Sequence, residues 1–137
     1  MSYINRRGKP ALSFGFGMET DAPACARRAV RRLLQRFDSC TANDVQLVVS
    51  ELVTNVVTHT GGGGVVRAWV GEHDSSLLVE VEDFSDERPV AADDDRMPGG
   101  RGMRIVTEAT DEWGVAMTSH GKVVWAEFVR PHEPSLR

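Results

Sequence analysis

The chemistry in this sequence begins in one helix-length stretch, VQLVVSELVTNVVTHT, where a carboxylate and a carboxamide, Glu51 and Asn55, stand four residues apart. At about 100° per residue, positions four apart project from the same side of a helix on successive turns. With Thr58 they form a stripe beside a broad apolar face of Val45, Val48, Val49, Leu52, Val53 and Val56. A carboxylate and an amide at the rim of a core face have no evident packing use there. One general base and one oxygen ligand are what a magnesium-dependent phosphoryl transfer needs. A capping or surface pair that happens to be adjacent is the alternative, and on these residues alone both readings stand.

The second feature is Asp83, the last residue of an alternating stretch in VEVEDFSDERP. A carboxylate at a strand end can accept a hydrogen bond from an exocyclic amine such as that of adenine. Guanine offers an oxygen at the equivalent position, so the same residue would select ATP over GTP. Alone, Asp83 reads as an ordinary turn-initiating aspartate. The third feature is Pro98-Gly99-Gly100-Arg101-Gly102-Met103, a glycine-rich loop that runs into a helix. Glycines let backbone N–H groups approach phosphate, and a helix N-terminus adds partial positive charge. No Gly-Lys-Ser/Thr follows, so this is not a Walker A loop. It comes late in the chain after a long loop, unlike a Rossmann glycine run, which follows the first strand.

These residues need elements to hold them. Leu12, Phe14 and Phe16 alternate as in a half-buried strand. Thr20 and Asp21 stand at an N-cap position, with Pro23 in the first turn of a helix whose apolar positions recur over 24–37. Arg27, Arg28, Arg31, Arg32 and Arg36 cover the rest of that helix as a solvated face, with a phosphate-binding surface as the alternative. Thr41 with Asp44 resembles a capping box opening the second helix, which runs to about Thr60. The glycines at 61–64 end it and read as a flexible connection. Strands follow at 65–70 and 77–84 around a polar turn at 73–76, then a loop over 86–100 and a helix from about Gly102. A hairpin at 114–117 and 122–129 turns around 119–121. Short strand connections among helices predict an α/β (α+β) two-layer sandwich, with an antiparallel or mixed sheet and helices on one face.

Composition bounds the rest. The 137 residues, 41% hydrophobic and 26% charged, suit one ordinary globular domain with a core at about 11–130 and tails at 1–10 and 131–137. A net charge of −4 argues against indiscriminate binding to nucleic acid or an anionic membrane. The longest apolar run, 123–126, is far too short for a membrane span or a signal-peptide core, so the expectation is a cytoplasmic protein. Cys25 and Cys40 have neither metal-site spacing nor the density of a disulfide scaffold, and read as buried or half-buried free thiols.

The order of the pieces resembles the GHKL (histidine kinase/gyrase B-like) ATPase superfamily over roughly residues 22–128. Its N box matches Glu51-Leu52-Val53-Thr54-Asn55, its G1 box Asp83, and its G2 box Gly100 and Gly102. The stretches SELVTNVVTHT, GGRGMRIV, DEWGV and GKVVWAE look closest to a stand-alone actinobacterial branch similar to anti-sigma-factor serine/threonine kinases. The resemblance implies the Bergerat ATP-binding fold, with a mixed, mostly antiparallel sheet. It implies that Asn55 holds a magnesium ion on the ATP phosphates and that Glu51 is the general base. Asp83 would bind the adenine amine, the amides of Gly100, Arg101, Gly102 and Met103 would contact phosphates, and 86–99 would be a short lid. Charge compensation at the phosphates by Arg101 is inferred from its place between two glycines.

One departure is Asp83-Phe84-Ser85, where the superfamily's G1 box reads Asp-x-Gly; the actinobacterial branch often carries serine there. The acidic run Asp93-Asp94-Asp95 would repel a triphosphate if folded inward, and is better placed in solvent or against a basic partner. No phosphoacceptor histidine or dimerisation segment of a sensor kinase is present, and His59, His73, His120 and His132 read as structural or surface residues. The leading expectation is a kinase that sequesters a sigma factor and phosphorylates a small antagonist protein, with ATP and Mg2+ as cofactors and a homodimer suggested. The main alternative is a non-catalytic interaction module with ATP as a structural ligand. A Rossmann-like nucleotide or methyl-donor binder is the third.

Overall fold

In the computed structural model, residues 8–59, 62–84, 100–119 and 121–130 are described. The expected lid at 86–99 with its acidic run, Arg6 and Arg7, the last tail, His120 and His132 lie outside them, as does the Arg101 side chain.

Alternation at the first strand places Leu12, Phe14 and Phe16 half-buried and Ser13 and Gly15 exposed, making β1 (Leu12–Phe16). The next helix, α1 (Ala22–Arg31), starts after Asp21, whose side chain makes no capping bond, and buries Ala22, Ala26 and Val30. It does not continue to residue 37. A short 3₁₀ turn, Leu33–Arg36, follows it. Leu34 and Phe37 are buried, and spacing of three suits a 3₁₀ turn as well as an α-helix.

The second helix, α2 (Ser39–His59), buries Val45, Val48, Val49, Leu52, Val53 and Val56, the six positions of the apolar stripe. Each such side chain contributes roughly 1.5–3 kcal/mol when fully buried. Thr41 and Asp44 do not cap it. The Asp38 carbonyl accepts the Ala42 N–H at 2.9 Å and its carboxylate accepts the Thr41 N–H at 2.6 Å. Asp38 is therefore the N-cap, and Thr41 is the third helical residue. Both thiols are free, but Cys40 is exposed and only Cys25 is half-buried. Cys40 sits in the first turn of α2, opposite the apolar stripe.

The hydrogen bond from the Thr41 amide, then that from its hydroxyl, holds the Asp38 pKa below the ordinary carboxylate value. A group depressed in the folded state contributes stability above its unfolded pKa and loses it as pH falls through the folded one. Asp38→Ala should thus lower the melting temperature at pH 7, and the gap to the parent should close as pH drops below about 4. Parallel melts from pH 7 to pH 3 check this; a gap independent of pH would remove the charged cap.

The remaining strands are β2 (Gly64–Val70), β3 (Ser76–Asp83), β4 (Glu112–Met117) and β5 (Lys122–Val129), with α3 (Gly100–Ala109) between β3 and β4. The sheet order is β1-β2-β3-β5-β4, and every ladder is antiparallel. One face carries Val66, Ala68, Leu77, Val79, Val81, Ala126 and Phe128 into a core shared with the three helices. On the other face Arg67 reaches Glu82 at 2.8 Å and Glu80 at 3.5 Å. Burial works against the Arg67 charge, but the bond and charge of Glu82, with Glu80 beside it, raise its pKa.

Gly63 and Gly64 are not merely flexible. A Cβ on Gly63 would stand 2.1 Å from the Phe16 carbonyl oxygen, and one on Gly64 2.2 Å from that of Glu82. Glycine is what lets the chain leaving α2 press against β1 and β3. No helix among the described residues is long and apolar enough to cross a membrane.

Candidate functional site

Three elements bring the expected residues to one end of the molecule. Glu51 and Asn55 lie one turn apart on the C-terminal half of α2, both half-buried, while Thr58 is exposed. Four residues separate the end of α2 from β2, whose first residue, Gly64, is paired with Asp83. The path of the chain therefore sets the end of β3 beside the end of α2. Phe84 donates its N–H to the Gly63 carbonyl at 3.3 Å, closing that corner.

Asp83 is 2% exposed, the most secluded acid among the described residues. Its register partner on the other side is Lys122, at the start of β5. Side chains of directly opposed residues share a face with Cβ atoms about 4.5–5.5 Å apart. Asp83 and Lys122 thus share the helix-covered face, with Met117 next along the row. Sequence reading gave Lys122 only as the start of a strand; it was hidden because only the register sets it beside Asp83.

The glycine loop enters α3 two residues earlier than expected, at Gly100. The first four N–H groups of an α-helix have no partner within it. Counted from the cap position as in α2, these include the N–H groups of Gly100, Arg101 and Gly102, three of the four residues expected at the phosphates; Met103, the fourth helical residue like Ala42 in α2, is the first whose N–H is bonded within the helix. The three free N–H groups form a ready anion-facing helix end.

Beside the apolar packing of Val106 against the α2 core face, a side-chain hydrogen bond joins this helix to α2: the Asn55 Nδ2 donates to the Met103 Sδ at 3.6 Å. The thioether is a weak acceptor, yet it leaves the carboxamide oxygen, a hard donor, for a cation or water. The orientation of α3 is set from its far side. Trp113 donates its indole N–H to the Thr107 hydroxyl at 2.9 Å, and that hydroxyl donates to the Met103 carbonyl at 2.9 Å. Behind Trp113, a Cβ on Gly114 would stand 2.7 Å from the Trp125 ring, so the DEWGV and GKVVWAE stretches fit as neighbouring strands. Asp111 accepts the Val129 N–H at 2.7 Å and fixes the turn into β4.

Among the described residues no three His, Cys, Asp or Glu side chains gather closely enough to hold a metal ion. A magnesium ion here would rest on one or two protein oxygens, substrate phosphates and water, its usual arrangement with nucleotides. The Asn55 oxygen fits that role in its chemistry. The arginine face of α1 is not wholly solvated: Arg27 donates to the Ser50 hydroxyl at 2.9 Å and ties α1 to α2.

A family model described as "Histidine kinase-like ATPase domain" matches residues 18–128. Comparison with curated proteins finds no match. Among solved structures, the RsbU and RsbW domains of Rv1364c from Mycobacterium tuberculosis align with a TM-score of 0.68 and 20% identity, over 92% of this chain and 34% of that one. The chain thus spans about a third of the length of the mycobacterial protein chain. The histidine kinase domain of the blue-light activated histidine kinase EL346 from Erythrobacter litoralis aligns with a TM-score of 0.52 and 22% identity, over 93% of this chain and 67% of that one. At these identities the two structures speak for the fold alone, a two-layer α/β arrangement like the one described above.

Proposed function

This chain belongs to the family of histidine kinase-like ATPase domains, and we propose that it is an ATP-binding regulatory protein acting as an anti-sigma-factor-like serine/threonine kinase. In this reading it is a cytoplasmic protein that sequesters a partner such as a sigma factor. It phosphorylates a small antagonist protein, so that ATP and phosphorylation state decide which partner is held. The observation that supports this most is the convergence on one helix end: Gly100 opens α3, and Asn55 of α2 is bonded to Met103 at its first turn. The mycobacterial structure that carries RsbU and RsbW domains shares this fold, which is compatible with the reading.

Asp83 holds the adenine amine, and the amides of Gly100, Arg101 and Gly102 receive the phosphates, with Arg101 adding charge. Asn55 supplies an oxygen to Mg2+. That ion, when bound, neutralises charge on the phosphates. Glu51 takes the proton of a partner serine or threonine hydroxyl as its oxygen bonds to the γ-phosphorus. The bond from that phosphorus to the ADP oxygen breaks, and ADP leaves. A phosphotransfer assay with γ-labelled ATP and candidate antagonist proteins tests the reading. Label on a partner serine or threonine supports it. Tight partner binding with no label on any partner replaces it with the non-catalytic ATP-binding module.

The metal assignment has its own check. Asn55→Ala should lower ATP affinity chiefly when magnesium is present, because only the metal-bridged contact is lost. Calorimetry with and without magnesium reads this, and an unchanged magnesium dependence would remove Asn55 as a ligand.

A further inference from the structure

A second surface lies on the far side of α1 from the nucleotide residues. A groove of about 690 Å³ runs between α1 with its 3₁₀ turn and the start of β1, lined by Ala11, Leu12, Ala29, Leu33, Gln35 and the arginines Arg28, Arg32 and Arg36. Its floor is apolar and its rim is cationic, although the chain as a whole carries −4. All three arginines are exposed. Arg28 donates to the Cys25 Sγ at 3.3 Å, and Arg36 pairs with Asp74 at 3.5 Å. Among the described residues Arg28 and Arg32 form no ion pair.

The other wall of the groove belongs to an edge strand. Among the described residues β1 pairs with β2 only, so its outer side presents main-chain donors and acceptors to whatever enters. An extended segment adding there would send alternate side chains toward α1, one every 6.6–6.8 Å or so. Arg28 and Arg32, four apart at the end of α1, are offset along the helix by about 6.0 Å. That arginine pair and such a strand are therefore commensurate, with Arg36 beyond them on the 3₁₀ turn, and Leu33 and Ala29 offer apolar contact beside the charges. The 3₁₀ end of the groove is braced, because Arg130 stacks over Phe37 at 5.3 Å and donates to the Arg36 carbonyl at 3.3 Å.

We propose that this groove docks an extended acidic protein segment, with carboxylates at alternate positions, added as a strand to the open edge of β1. Strand addition gives such sites affinity through main-chain bonds and specificity through alternate side chains. A nucleic acid would use the arginines but neither the strand edge nor the apolar floor.

The test uses the full chain and a fluorescein-labelled eight-residue peptide alternating glutamate with threonine or valine, read by anisotropy. Saturable binding is expected, weakening as salt rises. Arg32→Glu and, independently, Arg28→Glu should each weaken it at least tenfold while leaving the melting temperature and ATP affinity unchanged. Replacing every glutamate of the peptide by glutamine should weaken it comparably. N-methylation of the peptide amides that face β1 should abolish binding, and the bound parent peptide should slow hydrogen exchange in β1. The proposal is overturned if the arginine variants or the glutamine peptide bind as the parents do. It is equally overturned if the N-methylated peptide keeps its affinity, or if a short single-stranded DNA of equal charge binds more tightly than the peptide.

Discussion

Asp83→Asn is expected to weaken ATP binding by about 1.5–3 kcal/mol, the usual worth of a hydrogen bond to a charged group, which is roughly 10- to 150-fold in affinity. The size follows from where Asp83 stands. It ends β3 on the helix-covered face, and at 2% exposure little water is present to screen it. In the proposed arrangement a carboxylate there accepts from the adenine amine and repels the guanine oxygen. Asparagine still accepts, without the charge, and can turn its NH2 toward guanine. The variant should therefore lose affinity for ATP and most of its preference for ATP over GTP together. Asp83 also has an interaction within the protein, so the melting temperature of the variant is measured beside calorimetry with both nucleotides. A parent that binds ATP and GTP equally would remove Asp83 from base recognition.

How legible this was differs by element. The six buried positions of α2 follow from periodicity alone, because a long helix against a sheet must bury one face and only one face of α2 is apolar. Its start did not follow. Asp38 with Thr41, and Thr41 with Asp44, fit the same three-residue capping spacing, and what decides is where the chain arrives from. Phe37 is extended, at φ −119° and ψ 159°, which delivers Asp38 and not Thr41 to the cap. The break of α1 after Arg31 was hidden for a related reason, since Leu33, Leu34 and Phe37 suit either kind of helix.

The sheet order also exceeded local reading, although a signal was present. β5 reads KVVWAEFV, buried at Val123, Trp125, Ala126, Glu127 and Phe128, as a strand flanked on both sides must be. β4 leaves Val115 and Met117 exposed, as an edge does. The hairpin therefore docks through its second strand and sets Lys122, not a β4 residue, next to Asp83. The candidate site was visible in residue types, while its connections were not. No spacing rule relates Asn55 to Met103, 48 residues away, because that contact exists only once α2 and α3 pack side by side.

Glu51 carries the largest expected effect and decides between a kinase and a binder. It stands one turn before Asn55 on α2 and is half-buried, on the side where an acceptor hydroxyl would meet the γ-phosphate in the proposed arrangement. A general base contributes about 10²–10⁴-fold to rate and little to ground-state nucleotide binding. Glu51→Ala should therefore keep folding and ATP affinity near the parent and lose most phosphotransfer to a partner serine or threonine. Glu51→Gln keeps shape and hydrogen bonding but has no basic site, so it should lose as much. The two variants together separate lost basicity from lost packing: if glutamine restores the rate, Glu51 serves by position and not as a base. Partner binding should survive both changes, because holding a partner needs the nucleotide-bound surface and not a proton acceptor. Parental rates in both variants would make Glu51 structural and put the base elsewhere. A protein of this family that binds its partner and ATP through these residues, yet transfers nothing even with Glu51 intact, would be using the nucleotide only to hold its shape.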